Sequence, residues 1–248
     1  MNKTLLTTLG IIVIVGGLYF ALRTPNPANN GNENQEQKVT TKGNVIFSVT
    51  DAAVNMSGIS EVNMHVSKLA IHNNVDGWVS VSITPQTYEL LQLNKDNEDR
   101  FLAQIDTPTG TYDQVRLTVD SVSIKTKAGV VKQATLPGND ITINTKLVVG
   151  TNTISSVNFD VLADKSLFTA TGGGYVFAPV IRTETRSMAN VKIETPSNIV
   201  TISGGTVDGV NTIGMDVDGT VSVDFEINPA DKININANGS IDVTGILK

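Results

Sequence analysis

The chain has 248 residues, of which 17% are charged and 5% aromatic, and its formal net charge is −6. This length fits one large domain, or one domain with a small module, and an acidic chain is a poor ligand for nucleic acid. Cysteine is absent and only two histidines are present, so a disulfide scaffold, thiol catalysis and a cysteine zinc site are excluded. We therefore expect no bound cofactor.

An uncharged, apolar run occupies residues 5–22, between Lys3 and Arg23. As a helix at about 1.5 Å per residue it would span about 27 Å, close to the roughly 30 Å of a bilayer core. The main alternative is a cleaved signal peptide, but bulky residues surround the only small residue at its end, Ala21. We therefore predict a transmembrane signal anchor over residues 1–23.

The next segment, residues 24–42, contains two prolines, many amide side chains and few apolar ones. This composition is typical of a flexible, solvated linker. The positive-inside bias favours a cytoplasmic N-terminus, by about one charge. The sequence thus predicts a single-pass cell-membrane protein whose C-terminal domain lies on the extracytoplasmic side.

From residue 43 onward apolar residues recur with a period of two, which predicts strands. The predicted strands are residues 43–50, 59–72, 78–83, 115–124, 141–149, 154–161 and 175–185. A phase slip in the second predicts a bulge near Ser67 and Lys68, and Pro179 predicts an edge strand or an interrupted ladder in the last. Helical pattern is limited to single turns at residues 84–93 and 100–104. Together these features predict an all-β, antiparallel β-sandwich over residues 43–187.

The C-terminal residues 188–248 are more acidic, with eight carboxylates and three lysines. Gly204-Gly205, Asp208-Gly209, Asp218-Gly219 and Asn238-Gly239 separate short alternating runs, which is a signal for hairpins. We interpret this segment as a β-hairpin extension, laid on the first domain as extra strands or folded as a small second module.

Several segments together resemble the prokaryotic domain-of-unknown-function 4382 family, over residues 43–186. They are residues 43–62, Gly77-Trp78, residues 88–93, residues 108–117 and Leu136-Pro137. The resemblance implies an exported, often membrane-tethered β domain with no assigned activity and no catalytic residues. Many members carry a lipid-anchoring cysteine, which this chain lacks, so the apolar run would provide the anchor. The family's usual proline after Asp51-Ala52 is Ala53 here.

Two histidines and an acidic loop are the candidates for metal binding. His65 and His72 are about 23 Å apart along one extended strand, too far to share a zinc ion, and we interpret them as surface residues. The segment Asp216-Val-Asp218-Gly219, with Asp224 and Glu226 nearby, does not match the EF-hand spacing. We favour a hairpin turn there and leave weak calcium binding between loops open.

Three aspartates are the candidates for carboxylate chemistry. Asp51, Asp160 and Asp164 would serve glycoside hydrolysis only if the fold held them at a suitable distance, and we favour roles at strand ends and turns. The run at residues 172–174 precedes a strand and not a helix, which favours a turn over a phosphate loop.

Surface features point to saccharides only weakly. Asn55 and Asn238 begin glycosylation sequons, which matter only outside a cell that glycosylates asparagine. The predicted exposed faces are rich in hydroxyls and amides, which fits either a carbohydrate-facing surface or the ordinary wet side of a sheet. Residues of this kind are Thr111, Asp113, Thr118, Asp120, Ser121 and Ser123. With one tryptophan and 5% aromatic residues there is little ring area for sugar stacking, so we favour the ordinary wet side.

These observations predict a membrane-anchored cell-surface protein with a structural or binding β domain and no enzymatic activity. One alternative is a glycan- or protein-binding adhesin or receptor-like module, which would show an exposed aromatic residue or a concave patch. The other is a carboxylate-dependent hydrolase, which would show a pair of buried carboxylates in a cleft. The membrane is the expected partner through the N-terminal helix, with a cell-surface glycan or protein as a further partner and no nucleic acid.

Overall fold

The computed structural model describes residues 41–52 and 56–244, which consist mainly of strands. The strands are β1 (Lys42–Thr50), β2 (Ile59–Asn73), β3 (Gly77–Val81), β4 (Gln86–Glu89), β5 (Asp99–Pro108), β6 (Gly110–Thr126), β7 (Val131–Thr135), β8 (Asp140–Val149), β9 (Ile154–Val161), β10 (Leu167–Thr169), β11 (Tyr175–Phe177), β12 (Val180–Ser187), β13 (Asn190–Glu194), β14 (Ile199–Ser203), β15 (Thr206–Met215), β16 (Val221–Val223), β17 (Lys232–Ile235) and β18 (Ile241–Thr244). Two short helices are α1 (Leu90–Asp96) and α2 (Ala163–Ser166). The all-β prediction is confirmed.

The predicted anchor at residues 1–23 and most of the predicted linker lie outside the described residues. Across the part of the chain that is described, no helix has both the length and the apolar character needed to cross a bilayer. β1 begins at Lys42, one residue before the predicted start of the β domain.

The first sheet has eight strands in the order β13-β14-β5-β1-β9-β12-β15-β16. Near its centre, β1 runs antiparallel to β5 and parallel to β9, with Phe47 opposite Val157. This parallel pair corrects the prediction of a purely antiparallel fold. The two strands are far apart in the sequence, so no tight turn fixes their relative direction.

The second sheet has the order β10-β11-β7-β6-β2-β3, with β4 also paired to β2 and β8 to β6. β7 and β11 form a second parallel pair. The long pair β2 and β6 shifts register between Val66 and Lys68, which confirms the bulge predicted near Ser67 and Lys68. Such a bulge allows both halves of β2 to keep their apolar side chains on the core side.

Both large sheets contribute alternate residues to one hydrophobic core. From β1 the fully buried residues are Val45, Phe47 and Val49, and from β2 they include Met64 and Ile71. Burial of each large apolar side chain contributes about 1.5–3 kcal/mol relative to its exposure to water. The apolar residues that recur with a period of two in the sequence therefore lie on the core face of these strands, as predicted.

The chain changes sheets at Pro179. β11 ends in the second sheet at Phe177, and β12 begins in the first sheet at Val180. Proline has no N–H to donate to a ladder, so the strand pairing is broken at this point. Of the two alternatives for Pro179, the interrupted ladder is confirmed.

The two predicted helical turns differ in outcome. In the first, β4 leads into α1, where the Glu89 side chain accepts a hydrogen bond from the Leu91 N–H at 3.2 Å and caps the helix. The second, at residues 100–104, is wrong because this segment lies in β5 and pairs with β1. Burial of Leu102 and Ala103 against the core outweighs a short and weak helical pattern there.

A single bent ribbon connects the first sheet to its C-terminal strands. β12 pairs with β15 as far as Ser187 and Thr206, and the ladder resumes beyond the bend with Asn190 opposite Ser203. Past the bend, β14 reaches β5 on the far side of the sheet, with Val200 opposite Asp99. We call this β13–β14 segment the folded arm.

The glycine pairs of the C-terminal segment have different structural roles. The turn at Asp218-Gly219 joins β15 to β16, and the turn at Asn238-Gly239 joins β17 to β18, as predicted. Gly204-Gly205 forms the bend of the ribbon, and Asp208-Gly209 lies within β15, so the hairpin prediction is wrong at both.

The last described hairpin, β17–β18, forms a separate two-stranded sheet. It packs in a small apolar cluster that includes Val176, Ala178, Ile227 and Ile233. A bridge between Thr171 and Asn234 links it to the turn between β10 and β11. Residues 190–223, in contrast, add four strands to the first sheet.

Gly205→Ala should destabilise the bend more than a similar substitution elsewhere. Gly205 has a φ of +67°, and a Cβ there would lie 2.4 Å from the Ser187 carbonyl oxygen. Gly129, the matched control, has a φ of +83° with no atom within 4 Å of its Cβ position. Gly129→Ala should lose only about 1–2 kcal/mol of stability from backbone strain. Gly205→Ala should lose more, because its Cβ also displaces neighbouring main-chain atoms. Equal losses in urea unfolding would contradict this prediction.

Candidate functional site

The three candidate aspartates lie where the parallel strands β1 and β9 end. The register places Thr50 opposite Asp160, so Asp51 and Asp160 are close in the fold. Asp51 is buried and its Oδ1 accepts a hydrogen bond from the Ala163 N–H at 3.3 Å, while Asp160 Oδ1 accepts one from the Ala52 N–H at 2.8 Å. Both therefore secure the main chain at strand ends, as the sequence favoured.

Asp164 lies close enough to this pair for its negative charge to contribute to the raised pKa of Asp160. It lines a different depression, together with Met56, Leu167 and Tyr175. All three candidates thus lie near the end of β9, but Asp164 lines a different depression from Asp160.

A polar cavity of about 210 Å³ lies between the outer face of the first sheet and the folded arm. We call it the carboxylate cavity. It is lined by Thr50, Asp99, Ser156, Asn158, Asp160, Arg182, Glu184, Arg186 and Ile202. Arg186 pairs with Glu184 at 2.6 Å, and Asn158 donates to Asp99 at 2.8 Å.

Two half-buried carboxyls in this cavity have raised pKa values. Burial is the main reason that the pKa of Asp99 is raised, with an opposing hydrogen bond from Asn158. Burial also raises the pKa of Asp160, against the Ala52 N–H bond and the nearby Arg182 charge, and the negative charge of Asp99 raises it further. The cavity therefore holds two carboxyls that ionise less readily than surface aspartates.

Asp99→Asn should change the free energy of unfolding more favourably at pH 7 than at pH 4. A folded-state pKa above the ordinary value means that stability is lost as the pH rises through that pKa, because the ionised form disfavours the fold. Asparagine removes this ionisation and keeps an oxygen that accepts the hydrogen bond from Asn158. Urea unfolding at both pH values measures the difference.

Asp218→Asn is the control. A hydrogen bond from the Thr220 N–H lowers the pKa of exposed Asp218 from its ordinary value of 3.8, so its contribution to stability is lost only as the pH falls below about 4. Any effect of this substitution should therefore stay nearly constant between pH 7 and pH 4. A pH-independent effect of Asp99→Asn would contradict the assigned burial.

A second concave site lies on the outer face of the second sheet. This groove, of about 490 Å³, surrounds the only tryptophan of the chain, and we call it the Trp78 groove. It is lined by Ser67, Lys68, Leu69, Ala70, Trp78, Ser80, Val81, Ser82, Ile83, Arg116, Thr118 and Asp140. The Trp78 residue is 37% exposed, whereas most large apolar residues of these strands are buried.

Neighbouring strands hold the Trp78 indole in place. The Arg116 guanidinium carbon lies 3.9 Å from the indole centroid, and the His72 ring lies 5.1 Å away at a tilt of 54°. His72 Nδ1 is in turn 2.7 Å from Asp113 Oδ1. A guanidinium over an indole face is a favourable cation–π arrangement.

The two histidines have separate surroundings. His65 Nδ1 lies 3.1 Å from the Thr87 hydroxyl, whereas His72 contacts Asp113 and Trp78. Both side chains are partly exposed on β2. No metal ligand set joins them, and no group of three or more histidine, aspartate or glutamate side chains in residues 41–52 and 56–244 is arranged to hold a metal ion.

The acidic loop between β15 and β16 is organised by its own main chain. Asp216 Oδ1 accepts from the Val217 N–H at 2.6 Å, and Asp218 Oδ1 accepts from the Thr220 N–H at 2.8 Å. Glu226 is paired with Lys165 at 3.2 Å. These contacts are those of a hairpin turn with partnered carboxylates.

Two further sequence candidates lie in turns. Gly172 and Gly173 adopt positive φ angles between β10 and β11, which confirms the predicted turn. The Asn238 side chain accepts a hydrogen bond from the Ser240 N–H at 3.0 Å within its hairpin turn. Asn55 lies outside the described residues.

The chain belongs to the family described as Domain of unknown function (DUF4382), whose model matches residues 42–179. This confirms the resemblance seen in the sequence. The matched segment contains the whole Trp78 groove but ends before Arg182 and Glu184 of the carboxylate cavity. No curated protein and no solved structure matches the chain.

Proposed function

We propose that this protein is a membrane-anchored, extracytoplasmic binding module that has no enzymatic activity and presents the Trp78 groove to a cell-surface glycan. The observation that carries the proposal is an exposed tryptophan that contacts a guanidinium and an imidazole in a groove. Aromatic faces with a few fixed polar groups are typical of ligand sites. Exposed hydroxyl-bearing side chains at Ser80 and Ser82 suit the hydroxyl groups of a saccharide.

The proposal includes the architecture that the sequence suggested. The apolar run at residues 5–22 would be an uncleaved transmembrane helix, followed by a flexible linker. Residues 41–244 would form a single sandwich-like unit in which the C-terminal strands extend the first sheet. Pairing of β15 with β12, and of β14 with β5, supports this arrangement.

Membrane anchoring has a direct test. The full chain should fractionate with membranes, and external protease should digest the β domain in intact cells while leaving the N-terminus uncleaved. N-terminal sequencing of the membrane-purified protein checks the anchor. A soluble mature chain that begins after Ala21 would overturn it.

Binding can be followed through Trp78 itself, because no other tryptophan contributes to the fluorescence. Titration with neutral and acidic oligosaccharides should change the emission, and calorimetry should give the same dissociation constant. If no oligosaccharide changes the fluorescence or binds by calorimetry, the glycan-binding function is wrong.

The carboxylate cavity favours a second candidate function, a carboxylate-dependent hydrolase. Its specific support is the pair Asp99 and Asp160, both half-buried and with raised pKa values. Such a pair would supply an acid and a base for glycoside cleavage. Release of reducing sugars by the purified protein, lost in both Asp99→Asn and Asp160→Asn, would favour this function over pure binding.

A further inference from the structure

We infer that the Trp78 groove recognises an acidic saccharide and that Arg116 and Lys68 bind its carboxylate. This inference rests on the proposed glycan-binding function and specifies the class of glycan. It is carried by the geometry of Arg116, the local charge of the groove and the hydroxyl groups of its walls.

Arg116 is held in a fixed orientation but retains free donors. Its Nε donates to the Thr142 hydroxyl at 3.0 Å, and its central guanidinium carbon lies over Trp78, 3.9 Å from the ring centroid. Its two terminal nitrogens make no hydrogen bond or ion pair with any described residue. A guanidinium prepared in this way binds a carboxylate with little further loss of conformational freedom.

A second cation lies next to Arg116 on the same face. Arg116 pairs across the strands with Ala70, and Lys68 pairs with Thr118, so the two cations are diagonal neighbours about 7–8 Å apart at the backbone. Lys68 is exposed and has no ion-pair partner among the described residues. A long lysine side chain can cover this separation and share one anion with Arg116.

The local charge of the groove is opposite to that of the chain. Lys68 and Arg116 face one carboxylate, Asp140, which already accepts a hydrogen bond from the Thr118 hydroxyl at 2.7 Å. The whole chain carries −6. A positive site on an acidic protein favours an anionic ligand over a neutral one by charge complementarity.

The rest of the groove suits a sugar ring better than a simple anion. Trp78 and Ile83 supply apolar surface, while Ser80 and Ser82 supply hydroxyl groups. Both serines are exposed, so a ligand can reach their hydroxyl groups.

The test compares matched acidic and neutral ligands on the protein. Tetragalacturonate, tetramannuronate and a hyaluronan tetrasaccharide are titrated against the full chain in detergent, with Trp78 fluorescence and calorimetry as readouts. The fully methyl-esterified tetragalacturonate keeps the sugar backbone but removes the charge. We expect at least one acidic ligand to bind, and the neutral counterpart of that ligand, its methyl ester, to bind at least tenfold more weakly.

Variants assign the effect to individual side chains. Arg116→Gln should weaken binding at least tenfold by calorimetry, and Lys68→Gln should weaken it less and reduce its dependence on salt. Thr142→Val keeps the charge of Arg116 and removes only its positioning bond, so a smaller loss is expected. Lys127→Gln removes an exposed lysine outside the groove and should leave the affinity unchanged.

Each other outcome has a defined meaning. Equal binding of charged and esterified ligands would overturn the acidic class and leave glycan binding intact. Binding of tetraglutamate as tightly as the acidic sugars would overturn the saccharide class. Absence of binding by every saccharide would overturn both this inference and the proposed function, and unchanged affinity in Arg116→Gln would overturn the assigned site.

Discussion

A chain shortened to residues 41–187 should lose most of its folding stability compared with residues 41–244. The deletion removes β15, which pairs with β12 along its whole length. It also removes Ile213 and Met215, which are almost fully buried in the main core. Burial of two such side chains contributes about 3–6 kcal/mol, against a typical total stability of about 5–15 kcal/mol.

Thermal unfolding and limited proteolysis of the two chains measure this loss. A chain that ends at residue 226 is the control, because it removes the β17–β18 hairpin with the segment that leads into it and keeps both large sheets. We expect the control to unfold cooperatively and the 41–187 chain to unfold at much lower temperature or without a cooperative transition. Similar transitions in the 41–187 and 41–244 chains would show that the C-terminal strands are dispensable.

The segment of this chain that matches the family model ends at a different residue from the first sheet. The matched residues 42–179 end just before β12, so they leave the first sheet with only β5, β1 and β9. The Trp78 groove is contained in the matched segment, whereas the carboxylate cavity depends on β12 and the folded arm. Only the carboxylate cavity thus depends on the C-terminal strands for its lining residues.

The local pattern predicted strands such as β1 and β8 well because alternate residues of these strands face the core. Alternation at residues 43–50 and 141–149 matches β1 and β8 within one residue. Even the slip near Ser67 and Lys68 was informative, since a bulge is needed to keep the apolar residues on one face. The segment at residues 100–104 was mistaken for helix because its burial depends on pairing with β1, which is distant in the sequence.

Prediction of the candidate sites requires the register between strands that are distant in the sequence. The periodicity of apolar residues carries no information about that register. Trp78 was visible as the only tryptophan, but its contact with Arg116 depends on β2 lying between β3 and β6. Asp160 is a candidate from the sequence, whereas Asp99 is not. Asp99 becomes a neighbour of Asp160 only through the strand order β5-β1-β9. Single residues were thus predictable, and their partners were not.

Phe159→Ala should cost about 3–5 kcal/mol, the range typical of a buried phenylalanine truncation. Phe159 is fully buried in the main core, and on β9 it lies between Val49 of β1 and Thr183 of β12. The substitution leaves a cavity between strands that are already paired on both sides, so the backbone has little freedom to close it. Urea unfolding, with comparison of midpoints and slopes, measures the change.

Two controls separate a cavity effect from a general effect of substitution on a strand. Phe159→Leu keeps most of the side-chain volume and should cost less than half as much as alanine. Val131→Ala changes a β7 residue that is 63% exposed, and its cost should stay within about 0.5 kcal/mol. A loss in Phe159→Ala no larger than that in Val131→Ala would mean that Phe159 is not enclosed by the two sheets, and it would contradict the shared core.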